Sequence, residues 1–138
     1  DVSNGTNFSW MFHGCYSFNS DIASWDVSNA RNFSYMFYGC GAFIGGDLSS
    51  WDVSNATLLY FMFYRCLSFS GDISTWDVSN ARSLSHMFDN CYSFNGDISS
   101  WEVSETRTDV GWMFVGCTSF NRNRVSTWDV SMVTLGLL

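Results

Sequence analysis

Residues 51–74 read WDVSNATLLYFMFYRCLSFSGDIS, and close copies of this stretch fill the chain at a spacing of 25 or 26 residues. Each copy carries a Met-Phe pair, a cysteine four residues after the methionine and a phenylalanine three residues after the cysteine. A fixed period of this length is typical of repeat proteins, in which each repeat buries its apolar face against its neighbours. The methionines that anchor the five copies are Met11, Met36, Met62, Met87 and Met113.

Two periodicities within each repeat predict one strand and one short helix. Trp51 and Val53 are two residues apart and would share the buried face of a strand, whereas Asp52 would face solvent. A stripe at helical spacing follows Ser54, whose hydroxyl would cap the helix. The members of that stripe are Ala56, Leu59, Met62, Phe63 and Cys66. We therefore expect an α/β repeat fold: a right-handed, leucine-rich-repeat-like β/α solenoid of five coils of 25–26 residues with a short parallel sheet.

The length and charge of the chain limit its organisation and its partners. The 138 residues are 46% apolar, which suffices for one continuous core, so we expect a single domain over residues 1–138 with an irregular last repeat and tail at 102–138. The formal charge is −7, and all six basic residues are arginines. This acidic balance argues against nucleic acid as a partner, and no apolar run is long enough for membrane insertion.

One cysteine per repeat forms a core column beside the Met-Phe pairs. The spacing lacks the C-x-x-C and histidine patterns of a zinc site, so no metal is assigned. An odd number of cysteines, placed one per repeat, favours buried free thiols, with disulfides between adjacent repeats as the alternative. The column comprises Cys15, Cys40, Cys66, Cys91 and Cys117.

A row of carboxylates, one per repeat, is predicted on the open face of the sheet. Neighbouring carboxylates ~5 Å apart repel by roughly 1 kcal/mol in water, so water, serine hydroxyls or a divalent cation should relieve them. We expect a hydrated polar face and no cofactor, with calcium as the alternative. This acidic row comprises Asp1, Asp26, Asp52, Asp77, Glu102 and Asp129.

Four N-x-S/T triplets are candidate N-glycosylation sites. They would be modified only in a protein that passes through a eukaryotic secretory route, and chance matches are common in a chain rich in Ser and Asn. The candidate asparagines are Asn4, Asn7, Asn32 and Asn55.

The segments W-D-V-S-N, M-F-x-x-C-x-S-F and D-I-S closely resemble the repeats of BspA-like leucine-rich-repeat surface proteins. The resemblance covers nearly the whole chain and recurs in all five repeats. It implies an extracellular or cell-surface location and a role in adhesion, matrix binding or cell-to-cell contact. It brings no catalytic motif to transfer, so an enzyme is not expected.

The function expected from the sequence is that of an extracellular structural or adhesive repeat protein. The chain begins and ends within a repeat, which is expected of a protomer that self-associates head to tail into fibrils and equally of a segment of a longer protein. The alternative is a surface binding module that recognises a host protein, a matrix protein or a glycan through the acidic open face. Ice binding would require a flat threonine array, and Thr75 and Thr127 alone are too few.

Overall fold

The computed structural model describes residues 1–137, and within that range the only helical element is a 3-10 helix at Arg122–Val125. Extended pairing is limited there to isolated parallel bridges, each a single residue pair. The predicted right-handed β/α solenoid with a parallel sheet is therefore wrong, because these residues contain neither an α-helix nor a sheet. The bridges are Asn7–Asn32, Asn32–Leu58, Leu58–Ser83, Ser83–Asp109, Asp47–Asp72 and Ser104–Asp129.

Backbone hydrogen bonding explains why the Met-Phe segment does not form the predicted helix. The N–H of Met36 donates to the carbonyl of Phe33 at 3.1 Å, which closes a four-residue β-turn between residues three apart, whereas an α-helix pairs residues four apart. The next N–H, that of Phe37, leaves the repeat and donates to the carbonyl of Met62 at 2.9 Å. Tyr35 also has a φ of 59°, in the left-handed region. Successive backbone N–H groups thus donate alternately within a local turn and to the next repeat, instead of pairing as in an α-helix.

The Trp-Asp-Val segment keeps the predicted alternation of burial without forming a strand. Trp51 and Val53 are buried and Asp52 is exposed. The Asp52 carboxylate, however, accepts the N–H of Ser54 at 3.0 Å and bends the chain. The backbone N–H of Ser54, which in a strand would donate to a neighbouring strand, is therefore bound by the side chain of Asp52.

Successive repeats pack through columns of identical side chains. Phe37 stacks on Phe63 with ring centroids 5.5 Å apart and planes 5° apart, and Phe63 continues onto Phe88 at 5.8 Å. Trp51 stacks on Trp76 at 6.2 Å and 2°. These rings are buried, so each repeat covers the apolar face of the next and the core runs through all of them.

Side chains also bond from one repeat to the backbone of the previous one. The indole N–H of Trp76 donates to the carbonyl of Leu48 at 3.0 Å, and the thiol of Cys66 donates to the carbonyl of Phe37 at 2.9 Å. These bonds satisfy buried polar groups that helix or sheet pairing would otherwise satisfy.

On the outer side of the repeats, amides and hydroxyls do the same. The amide of Asn55 donates to the carbonyl of Ser28 at 2.8 Å, and the hydroxyl of Thr75 donates to the carbonyl of Ser49 at 2.8 Å. The asparagine and hydroxyl side chains that recur in the repeats therefore hold neighbouring repeats in register.

The tail packs on the fifth repeat. The N–H of Trp112 donates to the carbonyl of Thr134 at 2.7 Å, and that of Phe114 donates to the carbonyl of Leu135 at 2.9 Å. Leu135 is buried, so the tail covers part of the last repeat. Across residues 1–137 there is no helix with the length and apolar character needed to cross a bilayer.

Candidate functional site

The structure places every member of the acidic row at the surface. The carboxylate of Asp26 accepts the backbone N–H of Ser28 at 3.1 Å and its hydroxyl at 2.6 Å. These two bonds, the hydroxyl first, lower the pKa of Asp26. Asp52 makes the same pair of contacts with Ser54. The carboxylates of Asp1 and Asp77 also accept the N–H of the serine two residues on, whereas Asp129 is contacted, among residues 1–137, only by the hydroxyl of Ser104, from the preceding repeat, at 3.5 Å.

A second row of aspartates repeats this turn before the Ile or Leu of the first four repeats, whereas the fifth has Arg124 at this position. The Asp72 carboxylate accepts the N–H of Ser74 at 3.0 Å and its hydroxyl at 2.7 Å. Asp47 and Asp97 also have lowered pKa values, caused first by the hydroxyl of the serine two residues on. No group of three or more His, Cys, Asp or Glu side chains in residues 1–137 is arranged to hold a metal ion.

The cysteine column consists of free thiols. Burial raises the pKa of Cys40 and of Cys117 to about 12, and it also raises the pKa values of Cys66 and Cys91 well above that of an ordinary thiol. Because the thiolate is the nucleophile, these four side chains are unreactive packing groups. Cys15, in the first repeat, is exposed.

The candidate glycosylation sites differ in accessibility. Asn4, Asn7 and Asn55 are exposed, whereas Asn32 is half-buried. The amide nitrogen of Asn55 already donates to the carbonyl of Ser28. The amide nitrogen is the atom that would carry a glycan, so modification of Asn55 would break a contact between repeats.

A surface strip of stacked rings was not anticipated from the sequence. One ring from each repeat contributes to it, and we call it the aromatic strip. Neighbouring centroids are 4.0, 5.1, 4.3 and 5.4 Å apart, and no pair of ring planes deviates from parallel by more than 26°. The strip comprises Trp10, Tyr35, Phe61, His86 and Trp112.

Every residue of the aromatic strip has a left-handed backbone. Their φ values lie between 52° for Trp112 and 66° for Trp10, a region that side chains other than glycine and asparagine rarely adopt. Such strain persists where the surrounding structure imposes it and is frequent at functional surfaces. The sequence signal was present, since each strip residue directly precedes the methionine of a Met-Phe pair.

A second rank of rings widens the strip. His13 stacks on Tyr38 at 4.8 Å, and Tyr38 stacks on Tyr64 at 4.5 Å. Beside these rings lies a shallow pocket whose lining includes His13, Tyr38, Tyr16 and Arg65. Partial burial first, and the neighbouring tyrosines second, raise the pKa of Tyr35, so its hydroxyl stays neutral.

His86 is anchored from below by an acidic side chain. Its Nδ1 lies 2.8 Å from Oδ2 of buried Asp89, and the amide of Asn90 donates to the other oxygen of that carboxylate at 2.7 Å. These contacts orient the imidazole between Phe61 and Trp112. The arrangement positions a ring of the strip.

Comparison with known proteins gives one family. The model of the family described as "Mycoplasma protein of unknown function, DUF285" matches residues 1–57 and 44–135. No curated protein and no solved structure matches the chain. The match agrees with the surface-repeat resemblance of the sequence and carries no function. With the match extending over nearly all of its repeats, the chain belongs to the DUF285 family.

Proposed function

We propose that this protein is a non-catalytic, adhesive repeat protein of the cell surface, which contacts a partner protein through the aromatic strip. The observation that carries the proposal is the strip itself, a continuous row of ring edges along one side of the repeats. The surface-repeat resemblance supports the location. Because the strip spans every repeat, contact area grows with repeat number, as an adhesive surface requires.

The geometry of the rings favours a protein over a sugar as the partner. A sugar packs on the open face of an aromatic ring, but Tyr35, Phe61 and His86 have a ring of the strip stacked on each face. What they present to solvent is ring edges and polar tips. Such half-buried aromatic groups are characteristic of protein interfaces.

The acidic row is a weaker candidate for the contact surface. Carboxylates such as Asp26 and Asp52 already accept hydrogen bonds from serines of their own turns. A partner would therefore have to displace or share those bonds. A contact through this row would be disrupted by Asp52→Asn and Asp77→Asn, which the aromatic-strip proposal predicts to be neutral.

The test compares binding of the intact chain to a panel of immobilised extracellular-matrix proteins and to a glycan array. The variant Tyr35→Asn/Phe61→Asn/Trp112→Asn removes three rings, and asparagine tolerates the left-handed backbone. The matched control is Ile44→Asn/Leu67→Asn/Tyr92→Asn, which removes exposed apolar groups outside the strip. We expect binding to at least one protein, reduced roughly tenfold or more by the first variant only.

Three results would contradict the proposal. These are binding only to glycans, equal loss of binding in both triple variants, and no binding to any member of the panel. Thermal unfolding of each variant separates loss of the surface from loss of the fold.

End-to-end association is a second candidate, supported by the first repeat. Met11 is 45% exposed, whereas the equivalent Met36 and Met62 are fully buried by the repeat before them. The carbonyl of Met36 accepts an N–H from the first repeat, and no N–H of residues 1–137 donates to the equivalent carbonyl of Met11. A further repeat of the same kind therefore fits this face, whether it precedes the first repeat in a longer polypeptide or belongs to a second copy, and we propose that copies of this chain associate through it.

Negative-stain electron microscopy of the purified chain at high concentration tests this association. Fibres that disappear in Met11→Asp and persist in Ile44→Asp, a charge added at a lateral site of similar exposure, would support it. Separate particles in the parent protein would exclude it.

A further inference from the structure

Half of the arginines of this acidic protein lie in one groove. Arg31, Arg82 and Arg107 line it, and all three are exposed. The groove has a volume of about 390 Å³, within the range of pockets that hold small ligands or short oligomers. Its other lining residues are Asn55, Thr57, Ser79, Asn80 and Ala81.

Contacts between repeats bring these arginines together. The N–H of Thr57 donates to the carbonyl of Arg31 at 2.9 Å, and the N–H of Arg82 donates to the carbonyl of Thr57 at 2.8 Å. Arg31 and Arg82 are therefore two repeats apart in one row, about 10 Å at the usual ~4.8 Å spacing between paired backbones. The hydroxyl of Thr108, next to Arg107, donates to the carbonyl of Ala81 at 3.0 Å and brings Arg107 alongside.

The groove arginines have no carboxylate partner in the described part of the chain. Among the arginines of residues 1–137, Arg124 pairs with Asp97, and the imidazole of His86 contacts Asp89, but neither contact involves the groove. The acidic residues nearest in sequence to Arg31 and Arg82, Asp26 and Asp77, accept the N–H groups of Ser28 and Ser79. Glu105 and Asp109, which flank Arg107, accept the N–H groups of Ser131 and Gly111. In a chain of formal charge −7, three guanidinium groups thus face one groove unneutralised.

The polar lining narrows the class of ligand. The amide nitrogens of Asn55 and Asn80 donate to backbone carbonyls of the preceding repeat. No donor among residues 1–137 reaches their amide oxygens, which remain acceptors for a ligand hydroxyl. Arginine binds oxyanions through paired N–H groups, so the groove offers anion donors and hydroxyl acceptors side by side.

We propose that this groove binds a sulfated glycan chain, with sulfate groups on Arg31, Arg82 and Arg107 and sugar hydroxyls on Asn55 and Asn80. A chain fits better than a single anion, because the arginines follow the direction in which the repeats are stacked. The groove is lined by residues separate from those of the aromatic strip, so this inference stands without the proposed function.

The test uses isothermal titration of the full chain with a heparin oligosaccharide. The variant Arg31→Gln/Arg82→Gln/Arg107→Gln removes the groove charges. Its matched control, Arg65→Gln/Arg122→Gln/Arg124→Gln, removes the remaining three arginines and changes the net charge equally. We expect the groove variant to lose affinity by about tenfold or more and the control by no more than about threefold. Binding should also weaken as salt is raised.

A second pair of variants separates loss of the binding groove from loss of the fold. Thr57→Glu places a carboxylate in the groove while leaving every arginine in place, and Thr75→Glu adds the same charge at an exposed threonine outside the groove. Only Thr57→Glu should weaken heparin binding.

The ligand series identifies the anion. Chemically desulfated heparin should bind at least about tenfold more weakly than heparin, and free sulfate and phosphate should compete only at high concentration. The proposal is overturned by equal losses in the two arginine variants, by equal binding of desulfated heparin, by no heparin binding, or by preferential binding to phosphatidylserine vesicles.

Discussion

At the residue scale, the repeated tryptophan is defined by its N–H as well as by its apolar surface. Trp76 donates to the carbonyl of Leu48, whereas the buried indole N–H of Trp128 has no acceptor among residues 1–137. Trp76→Phe should therefore cost at least about 1 kcal/mol more in free energy of unfolding than Trp128→Phe, since only Trp76 loses a hydrogen bond. Trp76 also stacks on two tryptophans, whereas Trp128 stacks on one. Urea denaturation of both variants measures the difference, and equal losses would contradict it.

The cysteines give a second prediction at this scale. Alkylation of the native protein by iodoacetamide at mildly alkaline pH should modify one thiol, that of exposed Cys15. The pKa of about 12 for Cys40 and for Cys117 leaves almost no thiolate there. Mass spectrometry should find one adduct before and five after denaturation, and none on native Cys15→Ser. Rapid modification of a second thiol in the native protein, or detection of disulfide-linked peptides, would contradict the assignment of the other four cysteines as buried free thiols.

At the element scale, the turns depend on residues that tolerate a left-handed backbone. Gly39 has a φ of 75°, while nearby Gly41 has no positive φ, and an added Cβ meets no close contact at either residue. Gly39→Ala should therefore lower the free energy of unfolding by about 1 to 2 kcal/mol. Gly41→Ala should leave it unchanged or raise it by up to about 1 kcal/mol.

Gly39→Asn is the informative third variant. The equivalent residue of a later repeat is Asn90, with a φ of 59°, so asparagine should recover part of the stability lost in Gly39→Ala. Thermal unfolding ranks the variants, and Gly39→Ala as stable as Gly41→Ala would show that backbone strain does not shape these turns.

The same turns explain what the sequence could and could not predict about the elements. Each of the five residues of the predicted helical stripe, which runs from Ala56 to Cys66, is buried, and Trp51 and Val53 flank exposed Asp52. Burial was therefore predictable from periodicity. The type of element was not predictable, because successive β-turns bury nearly the same positions as a helix. In addition, the residue with a left-handed backbone before the methionine of each Met-Phe pair carries an aromatic ring, which does not signal a turn.

At the scale of the whole molecule, the surfaces arise from register between repeats. The rings of Tyr35 and Phe61 are 26 residues apart in sequence, and their stacking requires knowing which residues of adjacent repeats align. The sequence shows an aromatic ring before the methionine of each Met-Phe pair, but it does not show that these side chains lie at the surface. The arginine groove likewise combines positions two repeats apart, and charge counting over the full chain conceals it.

The turn in which an aspartate carboxylate accepts bonds from a serine two residues on recurs in successive repeats. The free energy of unfolding should therefore depend on pH in the acid range. Serine hydroxyls lower the pKa values of Asp26, Asp47, Asp77 and Asp97 in the folded protein. Because the folded pKa lies below the unfolded value of about 3.9, each contribution is fully present above about pH 4 and is lost as pH falls through the folded pKa. The urea midpoint should therefore be flat near neutrality and fall progressively below about pH 4.

Replacing these four aspartates with asparagine should flatten the acid limb of that profile, because the amide oxygen still accepts the serine bonds but does not titrate. Replacing the partner serines Ser28, Ser49, Ser79 and Ser99 with alanine should flatten it in part, since the hydroxyl bond that lowers the pKa most is gone while the backbone N–H bond remains. The two variants differ at neutral pH, where only the alanine variant loses the hydroxyl bonds and should be less stable. An acid limb as steep in both variants as in the parent chain would place its origin outside these turns.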